Sequence, residues 1–276
     1  MSSTFAATGL LGLALGGSVV YVADVAAGDA SSSGAETLVG RRRPYHGGLT
    51  SGDPRRAYTD ALLWATGGGY ALQILTGHAF TAMGAKVNAK IAAGQAWRLL
   101  TPLLLHGSVV HLLVNCYSLH NIGPVIERQF GKEQFLAVYL GAGLGGNWLS
   151  YKMCPNNAVG ASSAVFGLVG ALGVYLHRHS DLFGSYGEAQ LQNLMGSIVA
   201  NGLFGMMSRK IDNWAHLGGL LAGATIAFAT GPNLMVVDGG TEGGKRLGRR
   251  TVVNRPLLQT YVGEFVREFK EDGNER

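Results

Sequence analysis

Six stretches of the chain, residues 58–80, 107–126, 133–151, 158–176, 188–207 and 213–231, are apolar and separated by polar or Gly/Pro punctuation. Each is close to the ~20 residues that carry an α-helix across a ~30 Å hydrocarbon layer. A helix is also an element that satisfies its own backbone polar groups in lipid. The composition agrees, with 14% charged residues and 43 glycines in 276 residues, against about 25% charged and about 7% glycine in ordinary soluble domains. Glycine does not argue against helices here, because small residues four apart, such as Gly141 with Gly145 and Gly219 with Gly223, let backbones approach in a membrane. The expected fold is therefore an all-α membrane protein with a six-span core over 58–231.

The flanks read differently. Residues 1–57 combine an uncharged stretch, "MSSTFAATGLLGLALGGSVVYVA", with a Ser/Gly-rich basic segment. This pattern fits a targeting or flexible region, or an additional apolar span. Residues 232–276 form a polar tail in which Leu257, Leu258, Tyr261, Val262, Phe265, Val266 and Phe269 share one face of a short amphipathic helix. Cys116 and Cys154 read as small buried hydrophobes. No metal-ligand spacing accompanies the histidines, so neither metal nor cofactor is expected, and the basic residues form no stripe suited to nucleic acid.

Lysine and arginine sort by side. One set of span ends collects Arg41, Arg42, Arg43, Arg55, Arg56, Arg128, Lys132, Arg178, Lys245, Arg246, Arg249 and Arg250, and the other Lys86, Lys90, Arg98, Lys152, Arg209 and Lys210. The positive-inside rule then turns both ends of the core toward cytosol, stroma or matrix. In that topology spans two, four and six all begin on the charge-poor side. Their opening residues, "HGSVVHLLVN", "VGASSAVFG" and "NWAHLGG", place His111, Asn115, Ser162 and His216 roughly 5–12 Å below a common rim at 1.5 Å per residue.

Four polar groups in one layer suggest acyl-transfer chemistry. A serine hydroxyl needs a base, which His216 supplies to Ser162. His111 and Asn115, four apart on one helical face, and the Ser162 backbone N–H are donors for a developing oxyanion. The residues alone leave other readings open. Serine among glycines is also a close-packing device, a His-x-x-x-Asn pair also bonds across helices, and Ser163 is a second candidate hydroxyl. A non-catalytic membrane chaperone or scaffold and a small transporter are the rival classes. Transport is disfavoured, because span five offers Asn193 and Asn201 but no mid-span acid.

Over roughly residues 58–231 these motifs resemble the rhomboid family of intramembrane serine proteases. Trp97 and Arg98 match the family's loop Trp-Arg, His111 and Asn115 its His-x-x-x-Asn, and Gly123, Glu127 and Gly131 its Gly-x-x-x-Glu-x-x-x-Gly. Gly160, Ala161 and Ser162 match its Gly-x-Ser, and His216 with Gly219 and Gly223 its last-span histidine and Gly-x-x-x-Gly. The resemblance implies a six-transmembrane-helix rhomboid-like bundle with a Ser162–His216 dyad lacking an acidic third member. It implies an oxyanion hole of His111, Asn115 and the Ser162 amide. Trp97, Arg98, Gly123, Glu127, Gly131, Gly160, Phe166, Gly219 and Gly223 then give structural support. The implied substrates are single-pass transmembrane proteins cut within the bilayer, and a catalytically silent relative is the alternative. Ser163 replaces a frequent glycine, and Phe166 a frequent tyrosine. "MSRKIDNWAHLGGLLAG", "VNCYSLHNIGP" and "FLAVYL" look most like plastid rhomboids of plants and algae, which implies a plastid envelope, with mitochondrial or bacterial inner membrane as the alternative. Oligomeric state is left open.

Overall fold

The computed structural model describes residues 53–208, 211–237, 241–242, 245–246 and 251–258. The uncharged N-terminal stretch lies outside these residues, as does all of the expected amphipathic tail helix beyond Leu258. Among the described residues the α-helices are α1 (Ala57–Leu75), α2 (Ala79–Gly84), α3 (Asn88–Ala92), α4 (Val109–Phe130), α5 (Lys132–Met153), α6 (Ser162–Arg178), α7 (Ser180–Met206) and α8 (Asn213–Thr230). The six long ones, α1 and α4–α8, form the bundle expected from the sequence. The short α2 and α3, with 3-10 turns at Ala96–Leu99 and Thr101–Leu104, build the connection from α1 to α4.

Helix α6 is the axis of the bundle. Val165, Leu168, Val169, Ala171 and Leu172 are almost fully buried against Phe135, Val138 and Tyr139 of α5 and Leu119, Ile122 and Ile126 of α4. The outward surface carries Trp64, Leu75, Leu113, Leu203, Met206 and Phe228, all exposed and apolar. By length and mean hydropathy alone, α4 is the one described helix that qualifies as a membrane span. Small and polar residues dilute the others, and many of them are turned inward: Gly146, Asn147 and Ser150 of α5, Ser163, Gly167 and Gly170 of α6, and Gly218, Gly219 and Gly223 of α8 are buried. Glycine rather than leucine on these packing faces lowers the mean hydropathy of the helices.

Several boundaries differ from those read in the sequence. Span two does not stop at 126 but runs to Phe130, with Pro124 inside the helix. It ends because Gly131 adopts φ 86°, a conformation suited to glycine, and α5 starts at the next residue. Span four begins at Ser162 rather than 158, because Ala158 is held in a β-bridge with Lys86 and Gly160 sits at φ 134°. Span five begins early, at Ser180, and kinks at Gly184. The polar tail contains strands that the sequence reading lacked. β1 (Leu234–Val237) pairs antiparallel with β4 (Thr251–Asn254), and β2 (Thr241–Glu242) with β3 (Lys245–Arg246); the Val-rich β1 and β4 suit strand geometry. Cys116 and Cys154 are free and only half-buried.

The two ends of the bundle are fastened by charge. At one end Arg128 pairs with Asp53, and Arg178 donates to the Phe228 and Pro232 carbonyls at the C-terminus of α8. His179 accepts at Nε2 from the Leu234 N–H at 2.9 Å, tying β1 to the α6–α7 joint. At the other end Lys86 and Arg98 are buried and bonded to main-chain carbonyls.

Glu127, Gly123 and Gly131 act together at the first of these ends. The Glu127 carboxylate accepts from the N–H groups of Tyr58 (2.9 Å) and Thr59 (2.8 Å) and from Thr59 Oγ1 (2.8 Å), so a side chain of α4 caps the first turn of α1. A Cβ at Gly123 would lie 2.7 Å from Thr59 Cγ2, so glycine there is what admits the threonine. Charge-assisted bonds of this kind contribute about 1.5–3 kcal/mol each. Glu127→Ala is expected to lower unfolding free energy by about 3 kcal/mol, measured by steric trapping or denaturant titration in micelles, with Glu127→Gln recovering part of it.

Candidate active site

Ser162 is the first residue of α6, where helical geometry leaves its N–H without an intrahelical acceptor. Gly160 supplies the turn into it. Its positive φ is one that side-chain-bearing residues rarely adopt, and its N–H donates to the Pro102 carbonyl at 2.9 Å. His216 sits in the first turn of α8, whose N-cap is Asp212. The Asp212 Oδ1 accepts from the Ala215 N–H at 3.0 Å, and its carbonyl accepts from the His216 N–H at 3.1 Å.

The two helices bring these residues together. His216 Nε2 lies 2.9 Å from Ser162 Oγ. The imidazole stacks on Phe166, one turn into α6, with ring centroids 4.3 Å apart and planes 15° from parallel. Ser163 takes no part in this contact. It is buried, and its Cβ faces Gly146 of α5, at 2.6 Å from where a Cβ at that glycine would stand.

The glycines explain the approach. A Cβ at Gly219 would overlap the Ser163 carbonyl oxygen, and one at Gly223 would overlap the Gly167 carbonyl. Gly146 faces the Ala215 carbonyl, so α5, α6 and α8 converge within a turn of the Ser162–His216 contact.

His111 and Asn115 stand on the adjacent face of α4. Ser108 caps that helix by accepting from the His111 N–H at 3.2 Å. The Gly107 N–H points to His111 Nδ1 at 3.4 Å, which places the ring proton on Nε2. That Nε2 borders Gly160: a Cβ there would lie 2.9 Å from His111 Nε2 and 3.8 Å from Ser162 Oγ. The space that glycine leaves open is thus bounded by a ring N–H on one side and the hydroxyl on the other. Asn115 is buried and gives one amide hydrogen to the His111 carbonyl at 2.9 Å, which leaves its second for another acceptor.

The remaining residues singled out in the sequence lie away from the contact. Arg98 is buried and donates to the Ala85 carbonyl (2.7 Å), the Ala82 carbonyl (3.0 Å) and Gln95 Oε1 (2.7 Å), stapling the α1–α4 connection. The Trp97 ring is exposed, and only its carbonyl takes part, accepting from Thr101. Gly123, Glu127 and Gly131 are at the opposite end of the bundle.

A rhomboid domain matches residues 93–233, just over half of the chain. The chain belongs to the rhomboid family. The family is one of integral membrane proteins, and α1–α3 precede the matched region. Similar proteins include "Rhomboid protease GluP" of Bacillus subtilis, 40% identical over 151 residues, which are 54% of this chain and 29% of that protein. "RHOMBOID-like protein 9, chloroplastic" of Arabidopsis thaliana is 33% identical over 161 residues, 58% of this chain and 37% of that one. "Putative rhomboid protease YdcA" of Bacillus subtilis is 37% identical over 143 residues, 51% of this chain and 70% of that one. The match therefore spans little more than a third of the first two relatives at most.

The sequence reading missed His106, Lys86, Ser150 and Asp212. His106 is buried and stands edge-on to His111 with centroids 5.0 Å apart, and neither of its ring nitrogens finds a hydrogen-bond partner among the described residues. Asp212 was detectable as an acid three residues before Ala215 at a helix start. The Lys86 partners are carbonyls, which no motif reveals.

Because carbonyl oxygens occupy the place of a side chain, Gly219→Ala is expected to push α8 off α6 and cost about 1–3 kcal/mol. The loss is read as a lowered melting temperature in detergent, with Gly196→Ala, which meets no atom within 4 Å, as the control.

Proposed function

We propose that the chain is an intramembrane serine endopeptidase that cleaves transmembrane helices of single-pass membrane proteins by a Ser162–His216 dyad. The observation that carries this reading is the 2.9 Å contact between Ser162 Oγ and His216 Nε2, made between two different helices. His216 takes the hydroxyl proton as Ser162 attacks the scissile carbonyl, then returns it to the leaving amine. Water next attacks the acyl carbon while giving a proton to His216, and His216 passes that proton to Ser162 Oγ as the acyl–oxygen bond breaks and the new carboxylic acid leaves.

The oxyanion of each tetrahedral intermediate is placed over Gly160. His111 Nε2–H, the Ser162 N–H and the free amide hydrogen of Asn115 are its donors. The positive end of the α6 dipole adds to them. The donors are fixed before reaction by α4 and α6, which is what makes them effective. No carboxylate is required to orient the base, since Phe166 holds the ring plane by stacking.

A helical substrate keeps its carbonyls bonded to its own amides, so it must unwind locally before Ser162 reaches one. This favours small or helix-weakening residues at the cut. The chain needs no metal or cofactor for these steps, and the bilayer itself is its partner. For location we propose the plastid envelope, supported by the likeness to the chloroplastic relative; mitochondrial or bacterial inner membrane is the alternative.

The test is the full chain in liposomes with a single-span reporter. Ser162→Ala and His216→Ala are each expected to lower kcat by roughly 10⁴-fold or more, as in other serine proteases. Ser163→Ala retains cleavage, and a fluorophosphonate labels wild type but not Ser162→Ala. Cleavage that survives Ser162→Ala would overturn the dyad, and a wild type that neither cleaves nor labels would favour a silent scaffold. His111→Ala is expected to lower kcat by about 10²–10³, the usual loss for one oxyanion donor.

A further inference from the structure

Lys86 lies in the connection between α2 and α3, far in sequence from both Ser162 and His216, and is completely buried. Its Nζ donates to the carbonyls of Ser150 (3.2 Å), Cys154 (2.9 Å) and Asn156 (2.9 Å), which are the last turn of α5 and the chain just after it. Its backbone exchanges both hydrogen bonds with Ala158, at 3.0 and 3.1 Å. A single residue thus fixes the path from α5 to Gly160 and Ser162.

Ser150 continues the chain of contacts. It is fully buried, and its Oγ donates to Asp212 Oδ2. The other Asp212 oxygen caps the first turn of α8, the turn that carries His216. Lys86 at the C-terminus of α5 and Asp212 at the N-terminus of α8 each complement a helix dipole. Burial lowers the pKa of Lys86, while the Asp212 carboxylate acts to raise it, so the two charges feel each other.

We infer that Lys86, Ser150 and Asp212 form a clamp that positions Ser162 relative to His216, Lys86 holding the strand that leads into the serine and Asp212 holding the helix turn that carries the histidine. The clamp touches neither reacting atom; its members are positioning residues. Ser150 is the shared post, gripped by Lys86 through its carbonyl and by Asp212 through its hydroxyl. A shift of about 1 Å between a nucleophile and its base can cost about 10²-fold in rate, which is the scale on which such a clamp acts. The kinetic consequence rests on the protease reading above, whereas the mechanical linkage does not.

Two measurements on the full chain test it. In liposomes with the single-span reporter, Asp212→Ala and Lys86→Met are expected to lower kcat per fluorophosphonate-titrated site about 10- to 100-fold, with KM changed less than about twofold. Asp212→Asn keeps both a capping oxygen and a partner for Ser150 and is expected to restore kcat to within about threefold of wild type. A role in stability alone would reduce the number of titratable sites and leave kcat per site unchanged, which overturns the inference. So does an Asp212→Asn variant as slow as Asp212→Ala.

The second measurement is amide hydrogen exchange, readable whether or not the protein cleaves anything. Lys86→Met is expected to speed exchange both at 156–162, whose lead-in it holds, and at 213–217, to which it makes no hydrogen bond and which Ser150 and Asp212 link to it. Ser150→Ala is expected to break that linkage, so that 213–217 exchanges faster while 156–158 does not. Faster exchange at 156–162 alone in Lys86→Met overturns the clamp and leaves the dyad standing; loss of wild-type cleavage with coupled exchange does the reverse.

Discussion

How closely α8 can lie on α6 governs the whole site. A serine and a histidine on separate helices reach hydrogen-bond distance only if the helix axes come nearer than ordinary side chains allow. Gly219 and Gly223 permit this, with Ser163 and Gly167 carbonyls filling the places their Cβ atoms would take. His216 precedes Gly219 by three residues and Gly223 by seven, so all three lie on one helical face. The face that packs is therefore the face that carries the imidazole, and packing the helix aims that ring at Ser162. In a bilayer, where burial of apolar area between helices gives little driving force, such backbone proximity is a main source of association.

Close packing of this kind leaves polar groups that need partners, and the molecule meets them with cations and anions at helix ends, Arg98, Lys86 and Glu127 buried and Arg178 and Asp212 partly so. Arg98 and Lys86 donate to carbonyls in and around the α1–α4 connection and at the end of α5, Arg178 to those at the end of α8, and Glu127 and Asp212 accept from the opening turns of α1 and α8. Each charge sits at the helix end whose dipole favours it. The layer between these ends holds the glycine contacts and the site. Order at the rims and proximity in the middle are thus supplied by different residue types, which is why Gly123, Glu127 and Gly131 belong to the fold although they are far from Ser162.

Much of this was legible in the sequence because it is local. Runs of apolar residues gave six helices, the four-residue spacing of His111 and Asn115 gave a shared face, and the Gly219–Gly223 repeat gave a close-packing stripe. What was not legible depends on contacts between distant segments. Lys86 meets carbonyls 64 to 70 residues away, and nothing in a carbonyl's sequence context advertises an ammonium partner. The start of α6 was misplaced by four residues because the bridge between Lys86 and Ala158 competes with helix there. Ser162, chosen over Ser163 on the Gly-x-Ser match, is also the one whose hydroxyl meets His216. One residue along a helix is a rotation of about 100°, enough to send one hydroxyl to α8 and the other side chain toward α5.

Under the proposed Ser162–His216 dyad, Phe166 takes over part of what an acid would do. In a Ser-His-acid triad the carboxylate fixes the ring's orientation and tautomer and stabilises the imidazolium. Here orientation is supplied by packing: the phenyl ring lies nearly parallel to the imidazole, and the α8 backbone behind it is pinned to the Ser163 carbonyl. Stacking depends on the ring and not on a hydroxyl, so Phe166 suffices. A buried carboxylate beside the ring would add a second charge to desolvate, at a cost of several kcal/mol per ion. Moving the nearest acid to the helix cap, at Asp212, keeps it among hydrogen-bond donors while it still governs the turn from which His216 projects.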